Sequence, residues 1–299
     1  MDVKAVYINT YRKDYPFARI CIASIRHWYP EIPIFLIKDM GAGDFDTSAT
    51  EVVWNVQVMD TGKKTFGWGF GKFEPLFREG RESFLFMDAD TVMTGPVLDL
   101  VRDMDADFIV DEEVQSAAEL AKLYYEPDGL KKLHPDFRYP GYSFNTGQWF
   151  GTSGFLNRSD LDEFVEWTPG PKLRHPEVFK QADQGLYNFL LQRKQANGEI
   201  RLVRIPLMIW PDGGAADHID LAAIRGRVVK KTRVIHWAGM KHRKGKDLPR
   251  QDILDFFEHA YYQRTGSYRL ILDRGIRLRD RMQDDARRML GRLRRMTAR

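Results

Sequence analysis

The sequence predicts an α/β fold with a parallel, doubly wound sheet flanked by helices. The chain begins with a strand, a helix and a second strand at βαβ spacing. A short apolar run at 84–87 has the composition of a buried strand and ends in two carboxylates. With 299 residues, 43% of them hydrophobic and 29% charged, the chain can bury the core of a globular protein.

The first hundred residues contain the strands that define this sheet. A helix is predicted at 15–28, where apolar residues recur at helical spacing until Pro30 ends the pattern. Strands are predicted at 3–8, 34–37, 52–58 and 84–87. Residues 60–72 mix four glycines with three aromatic residues and precede a short predicted helix at 72–77. Their composition fits a flexible surface loop, and it also fits a lid that closes over a ligand.

The second half of the chain continues the α/β pattern with less regularity. Strands are predicted at 107–110, 144–156, 200–204 and 233–236, and helices at 159–167, 179–193 and 252–262. Three prolines interrupt residues 117–142, which we interpret as a partly helical insertion. One domain over residues 1–268 is therefore expected, followed by a separate tail.

The tail, residues 269–299, carries the basic charge of the chain. It contains eleven arginines and four aspartates, a net charge of +7, so residues 1–268 are net −3 within the overall +4. Apolar residues recur through it at helical spacing, namely Leu272, Ile276, Met282, Ala286, Met289, Leu290, Leu293 and Met296. A basic amphipathic helix is predicted, which could pack on the domain, pair with a second subunit or lie on an anionic membrane. Nucleic acid is the least favoured partner, because no recognised module accompanies the arginines.

Cysteine content and hydropathy bear on the cellular compartment. The single cysteine, Cys21, excludes a disulfide within the chain and disfavours a cysteine-based zinc site. No secretory signal is visible, and no apolar run approaches the ~20 residues that span a bilayer. We expect a cytoplasmic protein, peripheral on the inner face of the membrane if the tail binds lipid.

Asp88 and Asp90 follow the predicted strand at 84–87. Open α/β sheets bind ligands beyond the carboxyl ends of their strands. Two carboxylates this close repel each other, and a hard divalent cation with oxygen ligands would relieve the repulsion. An acidic turn without a ligand fits the same two residues equally well, so other parts of the chain must decide.

Four motifs between residues 86 and 239 resemble, in the same order, those of GT-A glycosyltransferases. The likeness is greatest to family 8, which includes glycogenin and bacterial lipopolysaccharide galactosyl- and glucosyltransferases. Phe86-Met-Asp-Ala-Asp-Thr-Val is similar to the metal-binding Asp-x-Asp, and Phe144-Asn-Thr-Gly to a sugar-contacting Phe-Asn-Ser-Gly. Ala182-Asp-Gln-Gly-Leu-Tyr-Asn resembles an Asp-Gln-x-x-x-Asn helix, and Val234-Ile-His-Trp-Ala-Gly resembles a late His-Phe-x-Gly. The resemblance covers residues 3–262 and excludes the tail.

The resemblance implies a GT-A catalytic domain over residues 1–268, with the Rossmann-like mixed sheet, flanked by helices, of nucleotide-diphospho-sugar transferases. Residues 117–142 would then face the acceptor. The implied donor is a nucleotide-diphosphate sugar, expected to be a UDP-hexose, and the implied acceptor is a glycan or a lipid-linked glycan. Retention of anomeric configuration is also implied. The implied metal ligands are Asp88, Asp90 and His236. This set suits Mn²⁺ better than Ca²⁺, and Mg²⁺ is the alternative ion.

The resemblance further implies which residues contact the donor. These are Thr10, Tyr11, Lys72, Asp88, Ala89, Asp90, Asn145, Thr146 and Gly239. A diphosphate-binding lysine stands three residues after the late glycine in the family. Here that position is His242, with Lys241 and Lys244 beside it, so the cationic ligand of the diphosphate stays open among these three. Asp183 and Gln184 are implied at the anomeric carbon, as the catalytic residues.

Two other enzyme classes also fit part of the pattern. Asp88-Ala-Asp-Thr-Val matches the signature of haloacid-dehalogenase phosphatases, in which the first aspartate is the nucleophile and the second the acid/base. That signature normally lies on the first strand, whereas the α/β pattern here begins near residue 3. A nucleotidyltransferase would require a glycine-rich phosphate loop after the first strand, and the sequence has none.

Overall fold

The structure is a computed structural model, and it describes residues 1–67, 69–113, 115–168, 170–181, 183–240 and 248–273 together with positions 275, 279 and 282. Several sequence predictions lie outside these residues. They concern Trp68 of the predicted lid, the cations Lys241, His242 and Lys244, and most of the predicted tail helix. The backbone at 267–273, where the tail begins, is helical.

The elements alternate between strands and helices along the described chain. The strands are β1 Val3–Tyr11, β2 Ile34–Asp39, β3 Val56–Val58, β4 Ser83–Asp88, β5 Thr91–Met93, β6 Phe108–Val110, β7 Gln148–Thr152, β8 Val165–Glu166, β9 Lys172–Leu173, β10 Leu202–Arg204, β11 Met208–Ile209 and β12 Val234–His236. The helices are α1 Tyr15–Trp28, α2 Ser48–Trp54, α3 Ala117–Leu123, α4 Pro127–Leu133, α5 Asp183–Ala196, α6 Leu221–Gly226 and α7 Gln251–Thr265. Short 3₁₀ helices span Phe70–Phe77, Val97–Leu100 and Arg158–Leu161.

Among the described residues, seven strands form the predicted mixed sheet in the order β10-β6-β7-β4-β1-β2-β3. Strand β1 pairs in parallel with β2 and β4, while β7 runs antiparallel to β4 and β6. Alternate side chains of β4 enter different cores: Leu85 packs on the α1 side and Phe86 on the α5 side. Burial on both faces explains the unbroken apolar run that precedes Asp88.

A smaller three-stranded sheet, in the order β11-β12-β5, lies beside the large one. Strand β5 follows β4 after the turn that contains Asp90, and β12 pairs antiparallel with β5 so that His236 lies opposite Thr91. This pairing brings a late segment of the chain to the carboxyl end of β4. It therefore positions His236 beside the two aspartates.

The strand predicted at 52–58 is wrong in its first half. Residues Ser48–Trp54 form helix α2, which Asn55 ends in a left-handed conformation, and only Val56–Val58 is a strand. Thr50 and Trp54, four residues apart, are buried, whereas Val52 is 83% exposed. Trp54 stacks on Tyr261 of α7, with ring planes 2° apart. Packing against α7 therefore overrides the strand preference of Val52 and Val53.

Other predicted boundaries also move. No α-helix spans 159–167 in the described residues: Arg158–Leu161 is a 3₁₀ turn capped by Asn157, and the chain then enters β8. The strand predicted at 144–156 narrows to Gln148–Thr152, the helix predicted at 179–193 becomes Asp183–Ala196, and the short helix predicted at 72–77 begins at Phe70. The insertion contains α3 and α4, as expected. Cys21 is fully buried, and none of the described helices is long and apolar enough to cross a membrane.

Candidate active site

A cavity of about 690 Å³ opens at the carboxyl ends of β1 and β4. Open α/β sheets bind ligands at this edge. The predicted site residues in its wall are Tyr11, Lys72, Asp88, Asp90, Asn145, Thr146, Asp183, Gln184, His236 and Gly239. All four sequence motifs therefore contribute side chains to one cavity.

A compact group in the wall of this cavity, which we call the metal group, consists of Asp88, Asp90 and His236. Each offers one ligand atom, and the three atoms lie within 4.8 Å of one another. The Nε2 atom of His236 is 3.5 Å from Asp90 Oδ1 and 3.9 Å from Asp88 Oδ2. The backbone fixes the group, because Trp237 N donates to the carbonyl oxygen of Asp90 at 2.9 Å.

The chemistry of this group fits a divalent cation. Two carboxylates and an imidazole supply oxygen and nitrogen donors, a set that Mn²⁺ accepts and that Mg²⁺ tolerates. Asp90 and His236 are 2% and 3% exposed. The two carboxylates lie close together, and a bound cation would offset their mutual repulsion. The three residues are thus spaced as the ligands of a metal ion would be.

Lys72 is a buried cation between the aspartate pair and helix α5. Its Nζ lies 3.0 Å from Asp88 Oδ2 and 3.2 Å from Asp183 Oδ2, and it donates to the carbonyl oxygen of Thr146 at 3.2 Å. Burial works to lower the pKa of Lys72, but the carboxylates of Asp183 and Asp88 outweigh it and raise that pKa. Lys72 therefore stays charged and links three of the four motifs.

Asp183 and Gln184 are held at the first turn of α5. Burial raises the pKa of Asp183, although Lys72 and the Thr146 hydroxyl, which donates to Asp183 Oδ2 at 2.7 Å, oppose the shift. Gln184 accepts from Asn145 Nδ2 at 3.4 Å and donates to the carbonyl oxygen of Leu123 at 3.1 Å. A carboxylate in the first turn is also favoured by the helix dipole. The side chains that face the cavity are thus fixed without a ligand.

Asn188 fastens helix α5 to the loop before β7. Its Oδ1 accepts from Phe144 N at 2.9 Å, and its Nδ2 donates to the carbonyl oxygens of Phe144 at 2.8 Å and Gln184 at 2.9 Å. Asn188 and Phe144 are fully buried. The asparagine at the end of the Asp-Gln-x-x-x-Asn pattern therefore positions Asn145 and Thr146 against Asp183 from behind.

We predict that Asn188→Leu lowers the free energy of unfolding by about 1–3 kcal/mol for each Phe144 backbone group left unpaired. Leucine keeps the apolar volume but cannot pair the Phe144 N–H and C=O. Urea unfolding measures the loss, with Asn197→Leu as a control, because Asn197 lies just beyond the same helix and its side chain bonds the exposed Glu199. An unchanged unfolding midpoint for Asn188→Leu would contradict this role.

Two glycines of the motifs allow close approaches that the sequence analysis did not foresee. A Cβ on Gly147 would lie 2.2 Å from Cε1 of His236, and a Cβ on Gly185 would lie 1.8 Å from the carbonyl oxygen of Tyr124. Gly69, with a φ of +89°, has Asp183 Oδ1 2.1 Å from its ideal Cβ position. Backbone therefore packs directly against both the metal group and Asp183, a use for which glycine is suited.

Some predicted residues lie away from the cavity. The hydroxyl of Thr10 is fully buried and donates to Asp14 Oδ1 at 2.8 Å, and the side chain of Ala89 packs in the core on the α1 side. Neither side chain is part of the cavity wall. Lys241, His242 and Lys244 lie outside the described residues, so the cationic ligand of a diphosphate stays open among them.

The cavity wall also contains residues that the sequence analysis missed. Asn9 is the register partner of Asp88 in the parallel β1–β4 pair, and the rule that parallel strands end at one edge could have found it. Trp210 stacks on His236 with ring centroids 5.5 Å apart and planes 17° apart. No motif marks this tryptophan. Its position depends on the pairing of β11 with β12.

Another part of the cavity wall comes from residues just before the insertion and from its beginning. Glu113, Gln115, Glu119, Leu123 and Tyr124 line it. The Tyr124 hydroxyl donates to Glu113 Oε2, and Gln115 Nε2 donates to the same oxygen at 3.2 Å. This end of the cavity is therefore rich in hydrogen-bond acceptors, and part of it is held in place by Tyr124.

No family model and no curated protein matches the chain, but solved structures do. The bifunctional glycosyltransferase WbbM matches with a TM-score of 0.54 and 14% identity, over 88% of this chain and 51% of that one. The galactosyltransferase LgtC, in complex with donor and acceptor sugar analogues, matches with a TM-score of 0.52 and 14% identity, over 86% of this chain and 95% of LgtC. The glycosyltransferase GlyE of Streptococcus pneumoniae TIGR4 matches with a TM-score of 0.52 and 13% identity, over 85% of this chain and 60% of GlyE.

The chain has the GT-A fold. It spans about half the length of WbbM and nearly all of LgtC. The GT-A fold predicted from the motifs is thus confirmed, while the site residues implied by the same motifs stay a prediction. At these identities the likeness concerns the fold, so activity must be argued from the site itself.

Proposed function

We propose that the chain is a metal-dependent glycosyltransferase that transfers a hexose from a nucleotide-diphosphate sugar, expected to be a UDP-sugar, to a glycan or glycolipid acceptor. One observation carries the proposal: Asp88, Asp90 and His236 lie together with the spacing of metal ligands in the cavity that also contains Lys72, Asn145, Asp183 and Gln184. A phosphatase that uses Asp88 as a nucleophile is disfavoured, because the aspartate pair follows the fourth strand of a GT-A sheet.

The geometry suggests a role for each end of the cavity. A divalent ion bound by Asp88, Asp90 and His236 would stabilise the negative charge that develops on a leaving diphosphate. Asn145 donates to Gln184 and Thr146 donates to Asp183, so these side chains are held in place. We assign Asp183, Gln184 and Asn145 to the orientation of the donor sugar. The acceptor would enter beside Glu113 and Gln115, where carboxylate and amide groups can bind sugar hydroxyls.

Retention of anomeric configuration is part of the proposal and rests on the family resemblance. On a retaining course, Asp183 and Gln184 would face the anomeric carbon from the side opposite the diphosphate. The anomeric coupling constant of the first-formed product, measured by proton NMR, would distinguish retention from inversion. An inverted product would remove this part of the proposal and leave the metal and donor assignments intact.

A thermal-shift panel of nucleotide-sugars with Mn²⁺ tests the donor assignment. We expect one nucleotide-sugar class to raise the melting temperature in the presence of Mn²⁺ and not in the presence of a chelator, because ligand binding stabilises the folded state by mass action. Nucleotide release in the presence of candidate acceptors then measures transfer. If no nucleotide-sugar stabilises the protein, and if Asp88→Ala/Asp90→Ala changes nothing, the proposed function is wrong.

The start of the tail supports a second proposal, peripheral contact with anionic membrane. Tyr268, Ile271, Leu272 and Met282 are each more than half exposed, although they are apolar. Asp273 anchors this segment to the domain by accepting from Arg19 Nη1 at 2.6 Å and from the Tyr262 hydroxyl at 2.8 Å. Apolar side chains in a strongly basic segment match the composition of an interfacial helix. Such contact would bring the cavity to a lipid-linked acceptor.

We predict that Ile271→Glu/Leu272→Glu reduces co-sedimentation with phosphatidylglycerol vesicles at least about tenfold, because each buried side chain contributes about 1.5–3 kcal/mol and the new charges are repelled. These point changes keep the Arg19–Asp273 pair, which a deletion of 269–299 would remove. Val228→Glu, at an exposed valine outside the tail, is the control. Equal vesicle binding by both variants would rule out this membrane contact, and a change in gel-filtration volume without vesicles would indicate self-association instead.

A further inference from the structure

The imidazole of His236 is enclosed by ring and backbone contacts. The indole of Trp210 stacks on it, with centroids 5.5 Å apart and planes 17° apart. The backbone of Gly147 packs against the Cε1–Nδ1 edge, where a Cβ would lie 2.2 Å from Cε1 and 2.7 Å from Nδ1. The ring therefore has little room to turn.

A hydrogen bond that would normally orient such a ring is missing from the described part of the chain. His236 Nδ1 is buried and has no hydrogen-bond partner among these residues, while Nε2 faces Asp88 and Asp90. A metal-binding histidine usually donates its second ring N–H to a carboxylate or a carbonyl, which fixes the orientation of the ring. In the described structure of this chain, a stacked ring occupies the place of that interaction.

Strand register explains why Trp210 lies there. In the parallel pair of β11 and β12, Met208 is opposite Val234 and Ile209 is opposite Ile235, so the next residues along are Trp210 and His236. Asp111 fixes the beginning of β11, because its Oδ1 accepts from Leu207 N at 2.7 Å and from Met208 N at 3.1 Å. The stack is therefore built into the smaller sheet and does not depend on a bound ligand.

We infer that Trp210 is a positioning residue for the metal group, which holds the His236 imidazole by ring stacking so that Nε2 faces the two aspartates. The inference rests on the proposed function, in which Asp88, Asp90 and His236 bind a divalent ion. Two consequences can be measured without turnover. Loss of an aromatic ring at 210 weakens Mn²⁺ binding, and bound paramagnetic Mn²⁺ quenches the fluorescence of an indole this close to the site.

The test compares Trp210→Leu and Trp210→Phe with the wild-type full chain, and uses Trp54→Phe as a control. Trp54 also stacks on an aromatic ring, but it lies in α2 and outside the cavity wall. Electron paramagnetic resonance of free Mn²⁺ gives the affinity. We expect Trp210→Leu to bind Mn²⁺ about tenfold more weakly, as for other groups that orient a metal ligand, and Trp210→Phe to stay close to wild type.

Fluorescence provides a readout that needs only the conservative variant. Mn²⁺ is expected to quench part of the tryptophan emission of the wild type and of Trp54→Phe. In Trp210→Phe the quenching should be smaller, and what remains would come from other tryptophans near the site, such as Trp237, whose backbone N–H donates to Asp90. Three results would overturn this inference and leave the proposed function intact. They are wild-type Mn²⁺ affinity in a folded Trp210→Leu protein, a Trp210→Phe protein that binds Mn²⁺ as weakly as Trp210→Leu, and undiminished fluorescence quenching in Trp210→Phe. Absence of Mn²⁺ binding by the wild type would overturn the proposed function and this inference with it.

Discussion

Asp90→Asn is expected to abolish Mn²⁺-dependent donor binding and to reduce sugar transfer by at least about 100-fold. The substitution keeps the size of the side chain but removes one of two negative charges from the group that would hold the cation. Asp90 is 2% exposed and lies 3.5 Å from His236 Nε2, so water cannot easily replace the lost ligand. A loss of this size exceeds the 10–100-fold effects typical of groups that only orient a ligand.

The measurements are an Mn²⁺ titration followed by nucleotide release with the preferred donor. Asp105→Asn is the matched control, because its carboxylate is 91% exposed and is remote from the cavity wall. The Asp90 variant is expected to fold at least as stably as the wild type without metal, since it buries one charge fewer. An Asp90→Asn protein with wild-type metal affinity would show that this group is not the cation site.

Lys72→Met is expected to lower the free energy of unfolding by about 3–5 kcal/mol, the range for removing one partner of a buried ion pair. The lysine side chain is 10% exposed, and its two partners, Asp88 and Asp183, would be left facing each other. Because methionine keeps the apolar part of the side chain, the decrease in the free energy of unfolding measures the effect of removing the charge. By contrast, Lys4→Met breaks a solvent-exposed pair with Asp2 and should leave the free energy of unfolding nearly unchanged.

The Lys72→Met defect should be larger at pH 8 than at pH 5. Burial already raises the pKa of Asp183, and Lys72 opposes that shift. Without Lys72 the folded-state pKa rises further above the unfolded value, so the penalty is fully present above the folded pKa and shrinks as pH falls. Urea unfolding at both pH values measures this difference. Lys72→Met/Asp183→Asn should recover part of the lost stability. A double variant that is less stable than Lys72→Met would count against the assigned charge pairing.

The sequence predicted the parts of the site that depend on local pattern. An apolar run ending in Asp88 and Asp90 identifies a buried strand and its carboxyl edge, and the four motifs brought in Asn145, Asp183 and His236. Helix α2 was missed because Val52 and Val53 favour a strand, whereas the contact of Trp54 with α7 decides the conformation. Local preference is a weak guide wherever tertiary packing is this specific.

Residues that reach the site only through tertiary pairing were out of reach of the sequence. Trp210 belongs to no motif, and its contact with His236 follows from the register of two short parallel strands. Glu113 faces the cavity because its backbone bridges to Ser143 and its carboxylate is bonded by Tyr124. Neither pairing has a periodic signature, since each involves only one or two residues in regular structure.

The pairing of β12 with β5 also has a consequence for the order of events during synthesis. Strand β12 is far along the chain from β5, so joining them closes a long loop, and such contacts form late because the entropy cost comes before the gain. A nascent chain that lacks β12 has Asp88 and Asp90 but no His236, and it has no Trp210 stack. We therefore expect high-affinity Mn²⁺ binding to begin only after β12 has paired with β5. The ion would then bind the folded protein and would not assist the formation of the sheet.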